Sequence, residues 1–153
     1  MHETPWDADP QRVENDVIEI DEDLTTVLVV DDDVPIREML AFALEMQGYQ
    51  VVQVADGVQA LEAVKQYRLD LVTLDIMMPG IDGWQVADRL RADRATAHIP
   101  RIMISGVPVD QLMRACASRQ ASAIVSKPFD LEHVMDLVEG LIGPPESRPR
   151  LAG

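Results

Sequence analysis

The sequence is short of cysteine, of long apolar runs and of basic charge, and each shortage excludes a class of protein. Its single cysteine, Cys116, cannot form a disulfide within one chain, which favours a reducing compartment. No segment approaches the roughly 20 consecutive apolar residues of a membrane-spanning helix, and residues 1–24 contain no basic stretch followed by an apolar run. We therefore expect a cytoplasmic protein that does not insert into a membrane.

Basic residues are outnumbered by acidic ones. The 13 Lys and Arg against 27 Asp and Glu give a formal net charge of −14 at pH 7, and the basic residues are scattered along the chain. Such a chain repels the phosphate backbone, so we expect no nucleic-acid partner. Carboxylates gathered in one pocket bind hard divalent cations such as Mg²⁺, whereas most surface acids only keep a protein in solution. Composition alone leaves both uses of the acids open.

The middle of the chain has the pattern of an α/β domain. Its apolar fraction of 47% is enough for one hydrophobic core. From about residue 25, short apolar runs alternate with longer stretches of helical periodicity, which is typical of a parallel sheet with crossover helices. The predicted strands are Thr25–Val30, Gln50–Val54, Asp70–Asp75, Arg101–Ser105 and Ser122–Ser126. The predicted helices are Pro35–Gly48, Gly57–Tyr67, Gly83–Arg91, Val109–Ser118 and Leu131–Leu141.

The two ends of the chain differ in composition from this core. Residues 1–23 are acidic without a clear period, and residues 143–153 contain three prolines and no apolar repeat. We predict one domain over residues 24–142 between two flexible tails. The alternative for the first tail is that an apolar patch of Val17, Ile18 and Ile20 docks on the domain.

Polar residues follow four of the predicted strands. Asp31, Asp32 and Asp33 follow the first strand, Asp75 ends the third, and Ser105 ends the fourth. Lys127 stands just beyond the fifth. Because ligands of an open parallel α/β sheet bind beyond the carboxyl ends of its strands, these side chains form the candidate site.

The residue types at these positions fit phosphoryl transfer to a carboxylate. Asp75 would attack phosphorus, while Asp31 and Asp32 hold a divalent metal, Lys127 supplies a fixed positive charge and Ser105 donates a hydrogen bond. Plainer roles exist for most of them. An aspartate before Pro35 is a good helix cap, which suits Asp33 in particular, Lys127 could be a surface lysine, and Ser105 could simply end its strand.

Three segments resemble the receiver domains of two-component response regulators. They are Val27–Asp33 (VLVVDDD), Leu71–Gly83 (LVTLDIMMPGIDG) and Ser126–Phe129 (SKPF), and the resemblance spans roughly residues 24–142. It implies a flavodoxin-like, doubly wound fold with a five-stranded parallel sheet in the order 2-1-3-4-5 and five helices.

The resemblance also implies a role for each site residue. Asp75 is the phosphoacceptor, Asp31 and Asp32 are the metal-site acids, Ser105 is the switch hydroxyl and Lys127 binds the phosphoryl group. The resemblance implies that the site for Mg²⁺, or for Mn²⁺, consists of Asp31, Asp32, Asp75 and the backbone carbonyl of Met77.

The partners implied by the resemblance are a sensor histidine kinase or a histidine phosphotransfer protein, and an unknown downstream protein. Phosphorylation switches a partner-binding face, and a phosphorylation-dependent homodimer is one form of output. Because few residues follow Leu141, we expect a stand-alone receiver without an output domain. Such a protein is not an enzyme beyond its own phosphorylation and dephosphorylation.

Two alternative functions stay open. Receivers often have Tyr or Phe three residues before the lysine, where this chain has Ile124. That departure gives some weight to a docking module that works without phosphorylation. A Mg²⁺ phosphatase with an aspartyl nucleophile shares the chemistry, but it usually has a second acid where Met77 stands, and it needs a substrate-covering insertion that the sequence does not show.

Overall fold

The structure, a computed structural model, describes residues 19–108, 110, 111, 113 and 121–145. Within these residues the chain forms five strands and four helices. The strands are β1 (Thr26–Val30), β2 (Gln50–Val54), β3 (Leu71–Asp75), β4 (Arg101–Ser105) and β5 (Ala123–Ser126). The helices are α1 (Val34–Gln47), α2 (Gly57–Gln66), α3 (Gly83–Ala92) and α4 (Leu131–Ile142). None of the described helices combines the length and the apolar character needed to cross a lipid bilayer.

The five strands form one parallel sheet in the order β2-β1-β3-β4-β5. This confirms the predicted fold class and strand order. The central strands β1, β3 and β4 are buried along their whole length, as expected for a sheet covered on both faces. All carboxyl ends therefore meet at one rim, where Asp75 pairs with Ile104 and Ser105 with Ser126.

Two apolar clusters cover the two faces of the sheet. In β1 the side chains of Leu28 and Val30 pack with helices α2 and α3, while those of Val27 and Val29 pack with α1 and α4. This alternation follows from the two-residue period of a strand. Each fully buried aliphatic side chain contributes roughly 1.5–3 kcal/mol, so the two clusters stabilise the sheet that carries the candidate site.

Each described helix begins with an aspartate cap at the rim end of the sheet or just beyond it. The carboxylates of Asp33, Asp56, Asp82 and Asp130 accept hydrogen bonds from backbone amides in the first turns of α1, α2, α3 and α4. Such a cap contributes typically about 1 kcal/mol. Asp33 is therefore the helix cap among the three adjacent aspartates, which leaves the other two for the site.

The predicted helix Val109–Ser118 falls mostly outside the described residues. Asp110, Gln111 and Met113 are described, and all three are helical. The part of the chain that the structure describes therefore has four helices with defined bounds, whereas five helices were predicted.

The chain on either side of the predicted domain contacts the start of the sheet. Ile20 is partly buried against the α2 and α3 face, and the Asp21 amide donates to Gln50 Oε1 at 3.0 Å. At the other end, the Gly143 carbonyl accepts a hydrogen bond of 2.7 Å from Tyr49 Oη. The predicted tail boundaries at residues 23 and 143 stay predictions.

Gly83 is required by the close approach of α3 to the end of β3. A Cβ atom on Gly83 would lie 2.5 Å from the Asp75 carbonyl oxygen and 2.8 Å from the Ile76 Cα, both of them backbone atoms. We expect Gly83→Ala to lower the free energy of unfolding by about 1–3 kcal/mol. Gly140→Ala, in α4 with open space around its Cβ, should instead raise it by about 0.5–1 kcal/mol. Urea unfolding of both variants checks this, and a shift of the same sign in both would contradict it.

Candidate functional site

Three carboxylates meet at the rim of the sheet. Asp31 and Asp32 follow β1 and Asp75 ends β3, and one oxygen from each lies within 4.8 Å of the others. Asp31 and Asp75 are 1% and 4% exposed, whereas Asp32 is open to solvent. The structure therefore brings together the three acids that were predicted to share a metal site.

The acidic turn after β1 is held by its own backbone and by Arg37. The Asp33 amide donates to Asp31 Oδ1 at 2.9 Å, and the Asp31 amide donates to the Val54 carbonyl at 3.3 Å. Arg37 Nη1 donates to the Asp31 carbonyl at 2.9 Å. Arg37 was not among the residues predicted from the sequence to lie at the site. Its position in the first turns of the helix that follows the acidic run was the available signal, because that is where a long basic side chain reaches back to the turn.

Lys127 points into the carboxylate cluster. Its Nζ lies 3.1 Å from Asp31 Oδ2 and 3.5 Å from Asp75 Oδ1, and its side chain is 20% exposed. The Lys127–Pro128 peptide bond that follows β5 is cis. The alternative of an exposed surface lysine does not fit this placement.

Ser105 lies fully buried at the end of β4, beside the backbone of Lys127. Its hydroxyl oxygen accepts a hydrogen bond of 3.1 Å from the Val107 amide, and its carbonyl accepts one of 2.6 Å from the Lys127 amide. The hydroxyl thus keeps its own proton available for donation. This backbone hydrogen bond links the end of β4 directly to Lys127.

Met77 follows the phosphoacceptor candidate in the loop after β3. Its amide donates to Asp75 Oδ1 at 3.3 Å, and its side chain is 63% exposed. The predicted role of the Met77 carbonyl as a metal ligand stays a prediction.

The electrostatics of the cluster show a deficit of positive charge. Burial, followed by the negative charge of Asp31, raises the pKa of Asp75 to about 7, although Lys127 opposes the shift. Burial by itself lowers the pKa of Lys127, but Asp31 and Asp75 together outweigh it and hold that pKa above its usual value. Three carboxylates and one ammonium leave a formal charge of minus two when all are ionised, which is the charge that one divalent cation neutralises.

The raised pKa of Asp75 predicts a pH-dependent stability of the metal-free protein. Between the unfolded value of 3.8 and the folded value of about 7, the folded state binds the proton more tightly. The free energy of unfolding therefore falls as the pH rises from 3.8 to about 7. Above about pH 7 it has fallen by the full amount. Asp75→Asn removes the charge, so in EDTA at pH 8 we expect a gain in unfolding free energy on the order of 2–4 kcal/mol.

Urea unfolding at a series of pH values measures this difference. The gap between Asp75→Asn and the wild type should narrow steadily as the pH falls from about 8 toward 4. A gap of constant size over that range would show that burial and Asp31 do not act on this carboxyl.

The sequence matches the family model described as the response regulator receiver domain over residues 27–139. Among curated proteins, it is 35% identical over 126 residues to the DNA-binding dual master transcriptional regulator RpaA of Synechocystis sp., covering 82% of this chain and 52% of that one. It is 34% identical over 125 residues to the phosphate regulon transcriptional regulatory protein PhoB of Pseudomonas aeruginosa, covering 80% and 55%. The chain spans about half the length of these relatives.

The chain is also similar in structure to solved response regulators and receiver domains. A putative response regulator from Chloroflexus aurantiacus is 30% identical with a TM-score of 0.73, covering 77% of this chain and 97% of that one. The receiver domain of the sensor histidine kinase PA1611 from Pseudomonas aeruginosa is 26% identical with a TM-score of 0.71, covering 78% and 98%. That crystal structure has a magnesium ion coordinated in the active site cleft.

The prediction that excluded nucleic acid from the partners was wrong. RpaA and the regulator MtrA of Mycolicibacterium smegmatis, which is 35% identical over 123 residues, are DNA-binding proteins. The net charge of −14 is that of this chain, which covers only 52% and 53% of their lengths. Because DNA phosphates are contacted by local basic surfaces, the average charge of one part does not predict what a whole regulator binds.

Proposed function

The chain belongs to the response regulator receiver domain family, and we propose that its Asp75 accepts a phosphoryl group from a sensor histidine kinase or a histidine phosphotransfer protein. The observation that carries this proposal is the cluster at the rim. Three carboxylate oxygens lie within 4.8 Å of one another, and Lys127 Nζ lies 3.5 Å from Asp75 Oδ1.

The donor set of the cluster fits Mg²⁺ or Mn²⁺. Both are hard cations that prefer oxygen ligands, and Asp31, Asp32 and Asp75 each offer a carboxylate oxygen. We assign the fourth protein ligand to the Met77 carbonyl. When bound, the cation would offset the charge that accumulates on the phosphoryl oxygens.

The remaining steps use side chains of this chain. One oxygen of the ionised Asp75 attacks phosphorus, the P–N bond of the phosphohistidine breaks, and its electron pair returns to the imidazole nitrogen. The Lys127 ammonium offsets negative charge on the phosphoryl oxygens, and the Ser105 hydroxyl donates to one of them. Attack by water later releases inorganic phosphate and restores the Asp75 carboxylate.

The output of this switch runs through β4 and β5. Phosphoryl contacts draw Ser105 and Lys127 inward, and the 2.6 Å backbone bond between these residues couples the two strands. Ile124 of β5 is partly buried against the core, so an aliphatic side chain takes the place of an aromatic reporter. A downstream partner then binds the surface that this change alters. We place this signalling in the cytoplasm.

Incubation with acetyl phosphate and Mg²⁺ tests the proposal. We expect intact-mass analysis to show a gain of one phosphoryl group that EDTA prevents. No gain, despite a bound metal, would favour a docking module that works without phosphorylation. Rapid turnover of varied phosphoesters would favour a Mg²⁺ phosphatase, whereas a receiver domain is not an enzyme in that sense.

A further inference from the structure

A small pocket opens between helices α2 and α3, near the ends at which both helices terminate. Its volume is about 140 Å³. The apolar part of its lining comes from Leu61 and Val64 of α2 and from Leu90 of α3. Lys65 and Arg89 also line it, one from each helix, and both are exposed. The pocket therefore combines an apolar floor with two cations.

The two cations of the pocket have no ion-pair partner among the described residues. Neither Lys65 nor Arg89 lies in an ion pair within that part of the chain. Asp93 lines the pocket as well, and its carboxylate accepts a hydrogen bond of 2.9 Å from the Ala95 amide. Cations are favoured in the last turn of a helix, which accounts for each charge separately. It does not account for two of them in one pocket, where like charges repel unless an anion lies close to both.

The basic residues of the described chain are concentrated around this pocket. Residues 62–70 and 88–101 contain the ends of α2 and α3 and the chain that follows them. They carry six Lys or Arg residues against four Asp or Glu, whereas the other described residues carry two against seventeen. The six basic residues are Lys65, Arg68, Arg89, Arg91, Arg94 and Arg101. In a chain with a net charge of −14, an acidic segment meets the least repulsion here.

The chain that precedes the described residues enters the fold at the same end of the sheet. Helices between parallel strands run against them, so α2 and α3 end beside the amino ends of the strands. Ile20 is partly buried against the α2 and α3 face, and the Gln50 side chain bonds both the amide and the carbonyl of Asp21 at 3.0 Å. The twelve residues 7–18, when extended, span about 40 Å, which exceeds the roughly 20 Å breadth of five strands.

Residues 3–9 have the composition that this pocket fits. Their sequence is ETPWDAD, in which Trp6 stands between acidic residues and no basic residue occurs. An indole ring is largely apolar and is also attracted to a nearby Lys or Arg. The carboxylates of Asp7 and Asp9 match the two cations in number and sign. One short segment thus supplies a partner for both parts of the lining.

We propose that Trp6 of the same chain occupies the pocket between α2 and α3, with Asp7 and Asp9 beside Lys65 and Arg89. While the segment is bound, the pocket is closed to other molecules. Exposed ion pairs of this kind contribute little to the stability of the fold and are weakened by salt. The pocket lies at the opposite end of the sheet from the carboxylate cluster, so this contact does not depend on the proposed phosphorylation.

Fluorescence of Trp6 in the full chain tests this contact. The chain has two tryptophans, so Trp84→Phe leaves Trp6 as the reporter. At about 50 mM NaCl, acrylamide should quench Trp6 at least about threefold less efficiently than in the urea-unfolded protein, because the ring is buried. About 500 mM NaCl should remove much of that protection. Quenching at low salt that is as efficient as in urea would overturn the proposal.

Variants of the pocket in the Trp84→Phe protein locate the contact. Lys65→Gln combined with Arg89→Gln should raise the quenching of Trp6 at least about twofold. Arg91→Gln combined with Arg94→Gln is the matched control, because it removes the same charge from the same end of the fold without changing the lining. It should leave Trp6 protected. Equal effects of the two variants would show that Trp6 responds to overall charge and not to this pocket.

Variants of the segment complete the comparison. Asp7→Asn combined with Asp9→Asn should raise the quenching of Trp6, whereas Glu14→Gln combined with Asp16→Asn should not. Far-UV circular dichroism shows that each variant keeps its fold. Protection of Trp6 that survives both the pocket variant and the Asp7 and Asp9 variant would refute the proposed contact.

Dilution distinguishes a contact within one chain from a contact between two copies. The protection of Trp6 should be the same at about 50 µM and at about 1 µM protein, because the concentration of a tethered segment does not change on dilution. Protection that is lost on dilution would assign Trp6 to the pocket of another copy and would refute the contact within one chain.

Discussion

Replacement of Asp75 by asparagine is expected to abolish phosphoryl labelling of the chain. The amide has nearly the same shape as the carboxylate, so the buried end of β3 is kept, but its oxygen lacks the charge needed to attack phosphorus. Intact-mass analysis after incubation with acetyl phosphate and Mg²⁺ measures the result. We expect no phosphorylated species at times when the wild type is fully labelled.

Asp93→Asn is the matched control, because Asp93 is an exposed aspartate at the other end of α3. It should be labelled like the wild type. Labelling that survives in Asp75→Asn would move the phosphoacceptor to another residue, and Asp32, the exposed acid of the cluster, would be the first to test. Loss of labelling in both variants would indicate a general effect of the substitution rather than the chemistry of one carboxylate.

The fold was predictable because its signals are local and repeated. Strands Gln50–Val54 and Arg101–Ser105 were predicted with the bounds that the structure has, because each is a short and mostly apolar run between turn residues. The strand order came from the family resemblance, because a run of apolar residues does not state which strand it pairs with. The structure confirmed that order.

The candidate site was predictable to the extent that it lies at strand ends. Asp31, Asp75 and Lys127 each follow an apolar run, and parallel strands bring their carboxyl ends to one rim. The sequence could not give the 3.1 Å contact between Lys127 and Asp31, or the bond from Arg37 to the Asp31 carbonyl. Both depend on the path of a turn and on a rotamer, which tertiary packing decides.

The exposure of Phe42 and Met46 on α1 could not be predicted from the sequence for a different reason. Leu40 and Leu44 share one face of α1, and both are buried in the core. Helical periodicity does not say whether a further apolar residue such as Phe42 is covered by another element or left open. Only the positions of the neighbouring helices show that Phe42 and Met46 remain exposed beside acidic residues of α4.

Replacement of Lys127 by methionine is expected to separate metal binding from phosphoryl transfer. Methionine keeps much of the aliphatic length and loses the ammonium that lies 3.5 Å from Asp75 Oδ1. Without this fixed charge, the rate of phosphorylation by acetyl phosphate should fall about 10²- to 10³-fold, as for the loss of one preorganised donor. Affinity for Mg²⁺ should rise, because the cation no longer competes with an ammonium 3.1 Å from Asp31 Oδ2.

Removal of the ammonium also leaves the buried Asp31 without its partner. In EDTA the Lys127→Met protein should therefore lose about 3–5 kcal/mol of unfolding free energy, and saturating Mg²⁺ should restore much of it. Lys65→Met is the control, because Lys65 is the other lysine of the chain and is exposed. It should change neither the stability, the Mg²⁺ affinity nor the rate of labelling. Calorimetric titration measures the affinity for Mg²⁺, and the rate of labelling by acetyl phosphate measures phosphoryl transfer. A variant that loses Mg²⁺ affinity together with labelling would show that Lys127 holds the acidic turn in shape, because a residue that acts only on the phosphoryl group leaves the metal site intact.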